Sequence, residues 1–161
     1  MTAGAILACA RERRWRIATA ESCTGGMVCA ALTDLAGSSD VFDRGFVTYS
    51  NAAKIAMLGV RAQTLAAHGA VSEPVAAEMA EGARAAADAD LAVSVTGIAG
   101  PGGSEFKPEG RVCFGIAQRF GKIFVETVEF GALGRKAVRQ AATDHALQLL
   151  LRTASQSPEA S

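Results

Sequence analysis

Leu91–Val95, which reads Leu-Ala-Val-Ser-Val, narrows the fold more than any other segment, because an almost wholly apolar run of five residues marks a strand covered on both faces. Such a strand needs helices above and below it, and the flanking chain supplies them. Ala3–Arg14 reads as a helix and Arg16–Glu21 as a short strand. After Gly25, the spacing of Val28, Ala31, Leu32 and Leu35 reads as a second helix, closed by Gly37-Ser38-Ser39. Phe42–Tyr49 reads as a strand, and Ser50-Asn51 can cap a helix carrying Lys54, Ile55 and Leu58. A polar connector with Thr64 and His68 leads to the clearest helix, in which Ser72 is the N-cap and Pro74 lies in the first turn. Its apolar stripe is Val75, Ala76, Met79, Ala80, Ala83 and Ala87. Farther on, Arg111–Gln118 and Lys122–Phe130 read as an antiparallel hairpin and Arg135 to about Arg152 as a last helix, with 153–161 a frayed polar tail. Strands alternating with helices, plus one hairpin, predict an α/β fold: a three-layer α/β/α sandwich around a mixed sheet of about five strands, one domain over residues 1–161.

Charge excludes some partners. The 16 Lys and Arg residues balance the 16 Asp and Glu residues, which argues against a protein whose main partner is nucleic acid, since that affinity comes from an excess of cations neutralising phosphates. The longest uncharged stretch, Leu91–Ser104, is broken by Gly97, Gly100, Pro101, Gly102 and Gly103, whereas a bilayer span takes about 20 mostly apolar residues. At the N-terminus the apolar run Ala5–Ala10 precedes the charges of Arg11–Arg14, the reverse of a secretory signal. A cytoplasmic location is the expectation. Cys9, Cys23, Cys29 and Cys113 fit neither a zinc knuckle nor a redox Cys-x-x-Cys, so they read as reduced, mostly buried thiols. The apolar strands and Ala-rich helix faces would suit a homodimer.

Two glycine-bearing turns follow strands at their C-terminal ends, where open α/β sheets place ligand sites. The first is Ser22-Cys23-Thr24-Gly25-Gly26. Glycine lets the backbone turn sharply there, and the helix that follows aims N–H groups at an anion or a developing oxyanion. Ser22 reads as a nucleophile or as an ordinary helix-start residue, with Cys23 as a rival thiol, and adjacent side chains in a sharp turn cannot both face one substrate. A serine needs a base. His68 sits in a loop beside Gly69, and His145 falls close to the apolar stripe of the last helix, so both read as core or surface histidines. Among the lysines, Lys54 differs: it opens a helix, where the dipole disfavours a cation, five residues after Tyr49, the only Tyr, and beside Ile55, Ala56 and Met57. Burial and the dipole would lower its pKa toward that of a working base, with Tyr49 able to relay a proton; the alternative is a surface lysine. The second turn, Thr96–Gly103, has neither the Lys-Ser/Thr of a P-loop nor the dinucleotide fingerprint spacing. Its amides and the Thr96 hydroxyl suit one phosphate or ribose, or simply a tight connection between buried strands.

Five ordered segments carry a resemblance: Thr19–Gly26, Gly45–Asn51 with Lys54, Gly69–Ser72, Val95–Gly103 and Val112–Gly115. Together they closely resemble the CinA C-terminal family, the nicotinamide-nucleotide amidohydrolases, over residues 15 to 140 or so. The resemblance implies hydrolysis of the carboxamide of nicotinamide mononucleotide to nicotinate mononucleotide and ammonia. It makes Ser22 the nucleophile, Lys54 the acceptor of its proton and Tyr49 the group that helps transfer that proton to the departing ammonia. The N–H groups of Thr24, Gly25 and Gly26 become candidates for oxyanion or phosphate contacts, and Thr96, Gly97 and Arg139 for holding the nucleotide portion. No metal and no cofactor enters that scheme. Many members carry a larger N-terminal domain, and the expectation here is the stand-alone form. Two departures stand out: Glu109 replaces the usual Val before Gly110, and Gly134-Arg135 lacks the Asp usual between them. The rival expectations are a non-catalytic nucleotide-sensing or partner-binding domain, and a serine amidase for another small amide.

Overall fold

The fold is described from a computed structural model, over residues 2–104 and 106–156. Five strands, β1 (Ile17–Glu21), β2 (Phe42–Val47), β3 (Leu91–Gly97), β4 (Arg111–Gln118) and β5 (Phe124–Glu129), form one sheet in the order β2-β1-β3-β4-β5. β1 runs parallel to both β2 and β3, whereas β4 and β5 are antiparallel additions, so the sheet is mixed as expected. Every residue of β1 is buried, and in β3 only Gly97 is not fully so; these central strands bear the helices on both sides.

One layer holds α1 (Thr2–Arg13), α2 (Met27–Thr33) and α6 (Arg135–Ser155). Ile6, Leu7, Val28, Leu32, Val138, Leu149 and Leu150 from these helices close on Ile17, Val93, Val95, Phe114 and Ile116. The other layer holds α3 (Asn51–Leu58), α4 (Ala62–His68) and α5 (Glu73–Ala87). There the core is built from smaller side chains, Val75, Met79 and Ala83 against Ala18, Ala20 and Ala92, which lets α5 lie close to the sheet. Ser94, buried on β3, fixes that approach by donating its hydroxyl to Ala76 O at 2.6 Å. The predicted caps of α3 and α5 form: Ser50 Oγ accepts from Ala53 N–H and Ser72 Oγ from Val75 N–H.

Several boundaries differ from the sequence reading. The connector with Thr64 and His68 is helical (α4), because Leu65 packs on the second core and the buried Thr64 donates its hydroxyl to Glu78 at 2.6 Å. The helix expected from Gly25 begins at Met27, since Gly25 and Gly26 have left-handed φ of 59° and 109°. It ends at Thr33, ahead of a short 3-10 turn at Ser38–Asp40. α6 extends through Ser155, with Thr153 and Ala154 buried, so the first part of the expected tail is packed helix, and 157–161 lie outside the described residues. No described helix is long and apolar enough to cross a membrane.

Candidate active site

β1 and β3 point their C-terminal ends at the same edge of the sheet, and a cavity of about 350 Å³ opens there. Its base is formed by Ser22, Cys23 and Lys54, one wall by the Thr96–Ser104 turn, another by Ala70 and Val71, and its rim by Tyr49, Asn51 and Arg135.

Ser22 follows β1 directly, and its N–H is fixed on Val95 O at 2.9 Å. Lys54 arrives from the first turn of α3 with only 1% of its surface exposed. Its Nζ lies 2.9 Å from Ser22 Oγ, 2.7 Å from Thr48 O and 3.5 Å from Tyr49 O. Among the described residues no carboxylate comes within ion-pair distance of this ammonium. Burial without a counter-charge disfavours the cation and lowers the Lys54 pKa from 10.5 to about 8. The neighbouring thiol is shifted the opposite way: Cys23, 4% exposed, is pushed up to about 11, again chiefly by burial. Near neutral pH, therefore, the base of the cavity holds a hydroxyl, a protonated thiol and an amine close to its titration point.

The turn after Ser22 is held by a residue the sequence reading passed over. Glu21, completely buried at the end of β1, folds its carboxylate under the start of α2. There it accepts from Thr24 Oγ at 2.6 Å and from the N–H groups of Gly26, Val28 and Cys29 at 3.2, 2.9 and 3.1 Å. The anion-binding end of α2 is thus filled by the chain's own carboxylate. Gly25 N–H donates to Ser22 O. Thr24, Gly25 and Gly26 accordingly build the turn and do not line the cavity. Arg139 likewise acts from behind, donating to Cys23 O at 2.9 Å and Thr24 O at 3.4 Å. The N–H groups of Cys23 and Thr24 have no protein acceptor among the described residues.

Thr96 and Gly97 do line the cavity, with the Thr96 hydroxyl donating to Ala70 O at 2.9 Å and so tying two walls together. A side chain at Gly97 would press on Val112 Cγ2 at 2.7 Å, so glycine is required for β3 to lie this close to β4. Tyr49 stands at the rim, 60% exposed, with its hydroxyl oxygen accepting from Arg135 Nη2 at 2.6 Å. Arg135 also donates to Gly100 O at 2.8 Å. It is the cation at the mouth; the sequence reading noted it only as the start of the last helix and as part of the Gly134-Arg135 departure from the family pattern, and gave it no role at the site. No group of three His, Cys, Asp or Glu residues that could hold a metal ion occurs among the described residues.

The family model described as the CinA C-terminal domain matches residues 2–154. The chain is 59% identical over 141 residues to the nicotinamide-nucleotide amidohydrolase PncC of Escherichia coli (strain K12), covering 87% of this chain and 85% of that one. It is 53% identical over 148 residues to the protein of the same name from Enterobacter agglomerans, with 91% and 90% covered. The crystal structure of the competence/damage inducible protein CihA from Agrobacterium tumefaciens superposes with a TM-score of 0.91 at 46% identity, covering 96% of this chain and 94% of that one.

Proposed function

The chain belongs to the CinA C-terminal domain family, and from that premise we propose that it hydrolyses the carboxamide of nicotinamide mononucleotide, with Ser22 as nucleophile and Lys54 as base. Amide hydrolysis is the activity that the Escherichia coli and Enterobacter agglomerans relatives are named for. The observation that carries the mechanism is the approach of Lys54 Nζ to Ser22 Oγ at 2.9 Å, with Lys54 buried and, among the described residues, no carboxylate within ion-pair distance of it.

Carbonyl oxygens can only accept, so a neutral Lys54 amine gives its two hydrogens to Thr48 O and Tyr49 O, and its lone pair is left toward the Ser22 hydroxyl. Ser22 Oγ attacks the carboxamide carbon as its proton passes to Nζ. The oxyanion formed is met by the N–H of Cys23, the turn residue after Ser22 that lines the cavity. The tetrahedral species collapses when its nitrogen is protonated, the C–N bond breaks, ammonia leaves and an ester to Ser22 remains. Tyr49 serves this step. Arg135 donates to its hydroxyl oxygen, which leaves the phenolic proton for the departing nitrogen. The proton that Lys54 took from Ser22 replaces the one Tyr49 gives to the nitrogen, so Lys54 is a neutral amine and Tyr49 a phenol again. Water, deprotonated by Lys54, then cleaves the ester to nicotinate mononucleotide, and the ammonium returns that proton to Ser22 Oγ.

With the start of α2 filled by Glu21, the substrate phosphate falls to the other side of the cavity, where Arg135 and the turn containing Thr96 and Gly97 stand. The test is ammonia release from nicotinamide mononucleotide, nicotinamide and glutamine by the purified protein. Release from the nucleotide alone supports the proposal. Release from glutamine in preference makes the chain another amidase, and release from none makes it a binding domain.

A further inference from the structure

The glycine turn that walls the cavity is braced from behind by a carboxylate. Glu109, half-buried just ahead of β4, accepts from Gly102 N–H at 2.7 Å through Oε1. Its side chain also fills the space beside Gly100 that a Cβ would need. Gly100 and Gly102 line the cavity, whereas Glu109 lies behind them.

Two consequences follow for an anion in the cavity. Backbone N–H groups of a glycine turn are ordinary phosphate donors, and here the one at Gly102 points at Glu109 instead. A full negative charge is also fixed directly behind the wall. Among the described residues no cation lies within ion-pair distance of it. Arg135 is engaged with Gly100 O and the Tyr49 hydroxyl, and Lys107 with His68 O and Val71 O, all neutral acceptors. The field of Arg135 at the mouth is therefore opposed by that of Glu109, across a wall that screens charge far less than open water does.

The geometry points to Glu109 as a specificity-determining residue, whose fixed carboxylate weakens the hold of the cavity on a phosphate and so admits amides lacking one more readily than Arg135 alone would allow. Selectivity set by a repulsive element as well as an attractive one is a general device. The inference rests on the proposed amidohydrolase reading of this cavity.

The test compares nicotinamide mononucleotide with nicotinamide riboside, which has the same carboxamide and pyridinium ring without the phosphate, in wild type, Glu109→Gln and Glu109→Val. Gln retains an oxygen for Gly102 N–H and removes only the charge; Val removes the charge whether or not the Gln variant folds. The ratio of kcat/KM for nucleotide over riboside is expected to rise by about threefold or more in both, through KM, and the gain to shrink in 0.5 M salt, or roughly that strength. An unchanged or lowered ratio in folded Glu109→Gln overturns the assignment; should that variant not fold, the ratio in Glu109→Val decides. If wild type hydrolyses neither compound, the amidohydrolase reading fails by itself. The same ratio read as Kd by calorimetry, in a Ser22→Ala background with and without Glu109→Gln, then decides the role of Glu109 by the same criterion.

Discussion

Lys54 Nζ lies 2.9 Å from Ser22 Oγ although 32 residues separate them in sequence. The parallel pairing of β1 with β2 produces this meeting: Glu21 is in register with Val47, and Thr48 N–H donates to Glu21 O at 2.8 Å. The chain leaving β1 as Ser22 and the chain leaving β2 as Thr48 and Tyr49 therefore start side by side. Ser50 then caps α3 and turns Lys54 back over the strand ends, so the dyad is held by sheet register and one helix cap.

Ser22→Ala should lower kcat by more than about 100-fold, as expected when a covalent nucleophile is removed, with folding intact by circular dichroism. Cys23 provides the control. Buried and pushed up to about 11, its thiol is not a thiolate at neutral pH, so Cys23→Ala should keep most of the activity and iodoacetamide should inactivate only slowly. Rapid inactivation with label on Cys23 would transfer the nucleophile to the thiol.

The neutral amine is the working form of Lys54, so kcat/KM should climb with pH and level off above an apparent pKa near 8. Activity at pH 6 should be far below that at pH 8.5 without loss of structure. Lys54→Met should abolish that limb together with nearly all turnover. A wild-type profile flat from pH 6 to 9, or a Lys54→Met variant with near-normal rates, counts against the assignment.

Much of this site was legible before any coordinates. Lys54 stood out because it opens a helix among apolar neighbours, and Tyr49 because it is the only tyrosine. The run Leu91–Val95 required cover on both faces, and α5 and α6 provide it. Two features were not legible. Glu21 at the end of a strand looks like a solvated polar residue, and only the three-dimensional turn shows its carboxylate meeting three backbone N–H groups. Arg135 is 86 residues from Tyr49 and reaches it only because α6 starts above the strand ends, a tertiary fact without local signature. The same limit explains Arg139, expected at the nucleotide but found supporting the nucleophile turn from behind.

Tyr49→Phe should keep the ring at the rim and remove the proton that the hydroxyl supplies. If the phenol serves the departing ammonia, kcat should fall by about 10- to 100-fold with KM little changed. An equal rise in KM with kcat unaltered would reduce Tyr49 to a binding surface.

Glu21→Ala leaves the buried Val28 N–H and Thr24 hydroxyl, and the part-buried N–H groups of Gly26 and Cys29, without their acceptor. Unsatisfied buried donors cost about 1–3 kcal/mol each, and partial relaxation of the turn makes a total loss of roughly 3 kcal/mol the expected outcome of urea unfolding. Glu21→Gln, which keeps one acceptor oxygen, should lose less. Stability of Glu21→Ala within about 0.5 kcal/mol of wild type would mean that water replaces the carboxylate, and the turn would not depend on it.

Burying Lys54 also leaves a signature in stability. Its folded pKa near 8 lies below the ordinary 10.5, so between those values the unfolded chain binds a proton that the folded chain has already released. The free energy of unfolding contributed by this group therefore rises with pH through that window. Below pH 8 both states are protonated and the full penalty for the buried ammonium applies; above 10.5 neither carries the proton and the penalty is gone. Other titrating groups are shared with Lys54→Met and cancel in the difference. From pH 8 to 10 wild type should gain on that variant by about 1–3 kcal/mol, the order set by a shift of this size at 1.36 kcal/mol per pH unit. Chemical denaturation at pH 7, 8, 9 and 10 measures it. A constant difference across that series means that Lys54 titrates in the folded protein as it does in the unfolded chain, and the base in the dyad would then be protonated when the reaction needs it neutral.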